Sequence, residues 1–177
     1  MLENYLKENC SLIHYFGLGF VQLKMKNPQE RYHFYNSKHL QPFCENPHNH
    51  RYDFQSEILA GRLTQTFYAV ECGITHIKEY ESCNKDKKCD LESTGCSIVQ
   101  TSQHLYNPGS KYFIGHRQFH TVQADYCITK LTRADHEVEF AEVIRAKTEE
   151  KKCPFSLKIS EVELWKIVEE MCQENWL

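Results

Sequence analysis

The sequence lacks any apolar run approaching the ~20 residues that a membrane-spanning helix requires. No membrane span is expected. It also lacks a basic surplus, with a formal net charge of -3 when histidine is neutral. Without an electrostatic footprint for phosphate backbones, nucleic acid is not an expected partner. No stretch repeats with a period of ~20–50 residues, which argues against a solenoid or propeller. The opening residues Met1 to Cys10 carry Glu3, Lys7 and Glu8 and have no apolar core of a signal peptide. Disulfide-scaffold density is missing too: the 9 cysteines among 177 residues are an odd number and fall short of the ~8–10% that marks such scaffolds. These absences point together to a reducing, cytoplasmic setting.

What is present is the composition of one compact domain, 41% hydrophobic and 25% charged. The aromatic share is 12%, with 10 tyrosines and 10 phenylalanines, residues that β-rich cores favour. Ten histidines are many for a chain of 177 residues. Histidine and cysteine are therefore where chemistry is to be sought.

Period-two alternation predicts a strand at Phe20 to Lys26, and after the Asn27-Pro28 turn a returning strand at Arg31 to Tyr35. Further strands are expected at His48 to Tyr52, Glu57 to Leu59, Leu63 to Val70, Ser97 to Thr101, Tyr112 to Ile114 and Thr121 to Leu131. A short helix is expected near Glu3 to Leu12. At the other end, Ser160 and Glu163 form a capping-box pattern, and Val162, Trp165, Val168 and Cys172, or else Leu164, Val168 and Met171, recur at helical steps. The expected layout is a single domain with a barrel core over about 17–135, a polar cysteine-containing loop or hairpin insertion over about 78–97, and a C-terminal helix over about 160–175. Many short strands between two terminal helices predict a mainly β fold, a barrel or sandwich dressed with helices.

Pro47-His48-Asn49-His50 is the most informative stretch. Residues two apart on a strand share a face, so both imidazoles would aim at one spot. A divalent metal needs convergent neutral nitrogens, and His-x-His on a strand supplies two. The plainer reading is a polar pair that binds nothing. Downstream lie Gly61, then Gly109, Gly115, Arg117 and His120. These spacings resemble the cupin family, whose motifs read G-x5-H-x-H-x3,4-E-x6-G and G-x5-P-x-G-x2-H-x3-N.

In that resemblance His48 and His50 take the first motif's histidines and Gly61 its closing glycine. Gly109 and His120 take the opening glycine and the histidine of the second. The departures are Pro42 at the leading glycine, Phe54 or Gln55 at the glutamate, Gly115 and Arg117 at the proline and second glycine, and Ala124 at the asparagine. The resemblance implies a cupin-like double-stranded β-helix, or jelly-roll barrel, with His48, His50 and His120 holding one divalent ion. A site without the glutamate is similar to the three-histidine thiol dioxygenases of the cysteine dioxygenase type. That likeness implies Fe(II) ahead of Zn, Ni or Mn, with oxygenase chemistry on a small thiol or other small-molecule substrate. It also implies a homodimer formed through edge strands. An isomerase, epimerase or lyase, and a non-enzymatic binding domain, remain the alternatives. Asp53 and Glu57 are open as a fourth ligand.

Other residues have both readings. His116 and His120 could form a helical pair of ligands, although the Pro108-Gly109 turn before them and Thr121-Val122 after them favour turn-then-strand. Arg51, Arg62, Arg117 and Arg133 could clamp a carboxylate or phosphate, Arg117 foremost because it stands three residues before His120. Tyr52, Tyr112 and Tyr126 could line the cavity and donate to ligands there, or simply pack. Arg117, Tyr112 and Tyr126 are the expected catalytic residues. Cys83, Cys89 and Cys96 form a loose cluster whose gaps do not suit a structural zinc site. Cys44, four residues before His48, is either a reactive thiol at the barrel mouth or a small buried hydrophobe.

Overall fold

The computed structural model describes residues 1–41, 46–81, 94–149 and 158–175. Ten strands and two helices follow one another among these residues. Helix α1 (Leu2–Asn9) leads into β1 (Cys10–Phe16), β2 (Phe20–Met25) and β3 (Glu30–Asn36). Then come β4 (Tyr52–Gly61), β5 (Leu63–Glu81), β6 (Thr94–Tyr106), β7 (Lys111–Ile114), β8 (Phe119–Gln123), β9 (Tyr126–Glu137), β10 (Ala141–Ala146) and α2 (Glu161–Glu174).

One sheet has the order β1-β2-β3-β9-β4-β7; in the other, β5 lies between β10 and β6 and also pairs with β8. The Pro47–Asn49 segment joins this second sheet. His48 bridges His120 and Val143, and its backbone exchanges hydrogen bonds with that of His120 at 3.1 and 3.0 Å. From β3 to β9 the chain therefore alternates between two sheets, crossing at every step except the β5–β6 hairpin. One wall reads β3-β9-β4-β7, and the other reads Pro47–Asn49, β8, β5, β6. That is the jelly-roll order, two interlocked Greek keys.

Strand parity divides the larger sheet into two faces. Val21, Leu23, Tyr32, Phe34 and Ile128 point outward and pack beneath the helices with Leu6, Leu164, Val168 and Met171. At roughly 1.5–3 kcal/mol per fully buried large side chain, this layer is a major source of stability, and it seals one outer wall of the barrel. Ser160 and Glu163 close the expected capping box at the start of α2. The opposite face carries Phe20, Tyr35, Ile58 and Phe54 into the barrel.

The two motif glycines have backbone reasons. Gly61 has φ +72°, and a Cβ there would collide with the Tyr126 carbonyl. Gly109 has φ +82° and closes the turn before β7, donating from its N–H to the Ile58 carbonyl at 2.8 Å. Both conformations are ones that L side chains avoid.

Four elements differ from the sequence reading. The expected strand at His48 to Tyr52 is a single bridge at His48, with β4 beginning only at Tyr52, and the expected strand at Thr121 to Leu131 is two strands, β8 and β9, in different sheets. The expected N-terminal helix ends at Asn9, because Cys10–Phe16 pairs with β2. Strand β10 was not expected; it pairs with the outer half of β5, where Lys78 to Glu81 face Ala141 to Ile144. The polar stretch from Lys78 onward thus begins as the outer arm of the β5–β6 hairpin. Cys83 and Cys89, together with Cys44, lie outside the described residues.

Candidate metal centre

His48 comes from the Pro47–Asn49 segment, His50 from the chain just before β4, and His120 from β8. The backbone bridge between His48 and His120 fixes two of the three. His50 follows two residues later, outside any strand, and its ring comes to the same spot. The ring centroids form a nearly equilateral triangle: 4.9 Å for His48–His120, 5.1 Å for His50–His120 and 5.2 Å for His48–His50. One nitrogen from each ring lies within 4.8 Å of the others, and Nε2 of His50 is 2.8 Å from Nε2 of His120. Two nitrogens bound to one ion at ~2.0–2.2 Å would be about 2.8–3.6 Å apart. The spacing fits a shared cation.

Tautomer and charge favour the same use. His120 donates from Nδ1 to Gln65 Oε1 at 3.2 Å, and His48 donates from Nδ1 to the Asn46 carbonyl at 3.1 Å. Each bond keeps the proton on Nδ1 and leaves the Nε2 lone pair for a metal. Burial drives the pKa of His50 and of His120 well below the ordinary imidazole value, and the neighbouring histidines add to the effect. Both rings are therefore neutral at pH 7, the form that ligates. Phe54 meets His50 edge-on at 4.8 Å, and Phe67 stacks on His120 at 6.0 Å. These rings form a dry wall around the nitrogens. The donor set suits a divalent first-row ion.

No carboxylate joins the three rings among the described residues. Asp53 alternates outward from Phe54 and accepts from the backbone N–H of His116 at 2.6 Å and from its Nδ1 at 2.7 Å. Those bonds hold its carboxyl below the usual carboxylate range. Glu57 pairs with Lys111 at 3.4 Å. Strand parity thus commits both acids elsewhere. His116 sits with Asp53 and His136, its ring 5.2 Å from that of His136, and is not part of the triad.

The remaining expected site residues separate. Tyr112 faces Ser56 across β4–β7 and shares hydrogen bonds with Ser56 and Gln65, while burial pushes its hydroxyl up to about 12. It connects to His120 through Gln65. Arg117 stands exposed on the turn where Gly115 and Gln118 bond to each other, and the structure does not bring it to the histidines. Tyr126 turns toward α2 and donates to the Met171 carbonyl at 3.3 Å. Its role in this structure is to tie β9 to the helix.

Sequence reasoning missed two features. Gln65, almost fully buried, lies between Leu63 and Phe67 on an inward face, and a polar residue in that phase is the signal that could have found it. The other is Arg31, which forms a cationic cluster with Arg133 and Tyr52, two residues that the sequence did single out. Arg31 donates from Nη1 to the Tyr52 hydroxyl at 2.6 Å, and the guanidinium of Arg133 lies 3.9 Å from the centre of the Tyr52 ring. Nε of each arginine is shut off from solvent with no hydrogen-bond partner. An orphaned buried donor costs about 1–3 kcal/mol.

No protein-family model matches this sequence, and no curated protein matches it. The crystal structure of Drosophila melanogaster CENP-C bound to CAL1 is similar in chain path at 9% identity and a TM-score of 0.39, over 75% of this chain and 93% of that one. The Drosophila melanogaster CENP-C cupin domain is similar at 9% identity and a TM-score of 0.35, over 66% of this chain and 70% of that one. By its own strand order, the chain has a cupin-like jelly-roll fold.

Proposed function

We propose that this chain is a metal-dependent jelly-roll protein in which His48, His50 and His120 hold one divalent ion and leave coordination positions open to a small ligand. The observation that carries this reading is the 2.8 Å approach of the His50 and His120 Nε2 atoms, with His48 completing the triangle. When bound, the ion would supply Lewis acidity and a place for substrate and oxygen to meet. The chain's own residues do the rest. Gln65 and the Asn46 carbonyl orient two of the ligating rings. Phe54 and Phe67 exclude water beside them. Tyr112 keeps its proton at neutral pH and so remains a hydrogen-bond donor.

The oxygenase form of this reading draws on the commitments of Asp53 and Glu57. Three neutral ligands leave the ion its full double charge, which suits an anionic substrate and favours Fe(II) chemistry of the thiol dioxygenase kind. The test is elemental analysis of freshly purified protein, followed by a substrate screen on Fe(II)-loaded protein under air and under nitrogen. Fe(II)-dependent oxygen consumption supports the oxygenase form. Turnover that persists under nitrogen supports an isomerase or lyase on the same ion. Metal without turnover leaves a ligand-binding domain, and absence of metal after loading overturns the reading.

A further inference from the structure

We propose that Cys72 and Cys96 form a reversible disulfide, a redox-modification site on the outer arm of the β5–β6 hairpin. The site is independent of the metal reading.

Register brings the two thiols together. Cys72 on β5 pairs directly with Cys96 on β6. Residues directly opposite on antiparallel strands hold their Cα atoms about 4.5–5.5 Å apart, inside the ~4.4–6.8 Å that a disulfide takes. Opposed residues also present their side chains to one face. Cys96 packs with Phe119 and Ile144, and Tyr68, Val70 and Ile98 line the same cluster. The two-residue step from Tyr68 and Val70 carries Cys72 to that face.

The chain after Cys72 leaves on the other side. The register breaks between Cys72 and His76, both of which oppose Cys96. The bulge between them packs onto Ser97, whose side chain a Cβ on Gly73 would strike. Thr75 Oγ1 shares a hydrogen bond with Ser97 Oγ at 3.2 Å. Ser97 alternates away from Cys96, so the bulge does not come between the thiols. A bulged strand bends locally, and β5 can take up the small approach that bond formation requires.

The two thiols divide the work. Cys72 is exposed, whereas Cys96 is only 4% exposed. Burial pushes the Cys96 thiol up, with Lys78 acting in the opposite direction. Cys72 is therefore the thiol that meets a soluble oxidant, and Cys96 the one that resolves. With a small-molecule disulfide RSSR as oxidant, the Cys72 thiolate attacks one sulfur, forms a mixed disulfide and releases one RS⁻. The Cys96 thiolate then attacks the Cys72 sulfur, forming the Cys72–Cys96 bond and releasing the second RS⁻. The protons given up by the two cysteines end on the released thiolates, so RSSR is reduced to two RSH as the pair is oxidised. Among the described residues no other cysteine has this placement. Cys10 and Cys127 oppose Met25 and Tyr35, and Cys172 faces the core from α2.

The experiment is incubation of the full chain with oxidised glutathione, alkylation of the remaining thiols, and peptide mapping by mass spectrometry with and without dithiothreitol. Wild type should yield a linked peptide pair containing Cys72 and Cys96 that separates on reduction. Cys96→Ala should lose that pair and accumulate glutathione on Cys72. Cys72→Ser should lose it too and leave Cys96 reduced; this exposed position serves if the buried alanine variant does not fold. Cys10→Ser, outside the pair, should leave the cross-link unchanged. No cross-link in the wild type, Cys72 linked instead to Cys83 or Cys89, or Cys96 still cross-linked in Cys72→Ser would each overturn the site.

Discussion

Nε2 of His50 and Nε2 of His120 stand 2.8 Å apart although 70 positions separate them in the chain. The contact is a product of the fold: β8 carries His120 to the Pro47–Asn49 segment, and a backbone bridge between His48 and His120 sets the register. Gln65 holds His120 from behind. Gln65→Leu should therefore leave one ion per chain but weaken its affinity about 10–100-fold. Chelator competition measures this; unchanged affinity would show that Gln65 does not orient the ligand.

Gly61 is the backbone hinge between the two walls. Replacing it with alanine adds a strained φ, costing about 1–3 kcal/mol, and a collision with the Tyr126 carbonyl. Gly61→Ala should lower unfolding stability by at least about 2 kcal/mol. Urea denaturation with circular dichroism reads the change, and a midpoint equal to wild type would refute the backbone assignment.

His33 gives the fold a pH dependence of its own. Burial, reinforced by the charge of Arg31 and by His14, pushes His33 down to about 3, and His14 is pushed down to about 4. In the unfolded chain both return to about 6.5. Between these values the unfolded state binds more protons, so stability is full above pH 6.5 and falls as the pH drops toward the folded value. The slope is about 1.4 kcal/mol per pH unit for each histidine. In chelator, denaturation from pH 7.5 to 5 should show this loss, and His33→Gln should reduce the slope by about one histidine's share. Equal slopes would contradict it.

Much of this was legible in the sequence, and the gaps have physical causes. The two-residue step of His-x-His paired His48 with His50 from the sequence alone, although the strand expected to carry them is only a bridge at His48. His120 required the glycine spacings, since nothing local links it to them. Arg31 was invisible because the run Arg31 to Tyr35 has large side chains on both faces. Only the docking of the helices on Tyr32 and Phe34 decides that Arg31 and His33 turn into the barrel. Strand β1 continues the helical text of α1, and it is pairing with β2, Ile13 opposite Leu23, that makes it a strand. Arg117 drew attention by proximity in sequence, but the turn that delivers His120 to the interior leaves Arg117 on the outside.

A ligand that binds only the folded chain stabilises it by mass action, by about 2.7 kcal/mol at a hundredfold excess over Kd. Zn(II) or Fe(II) added to chelator-stripped protein should raise Tm. His50→Ala should abolish the rise while leaving a cooperative transition. A metal-independent Tm in the wild type would argue that the three rings form a purely structural cluster.

The most direct measurement is metal stoichiometry by elemental analysis of wild type and His120→Ala after identical loading and desalting. Three convergent imidazoles should retain close to one divalent ion per chain, and the variant, with two nitrogens left, far less. Equal metal in the two proteins would contradict the assignment of His48, His50 and His120 as its ligands.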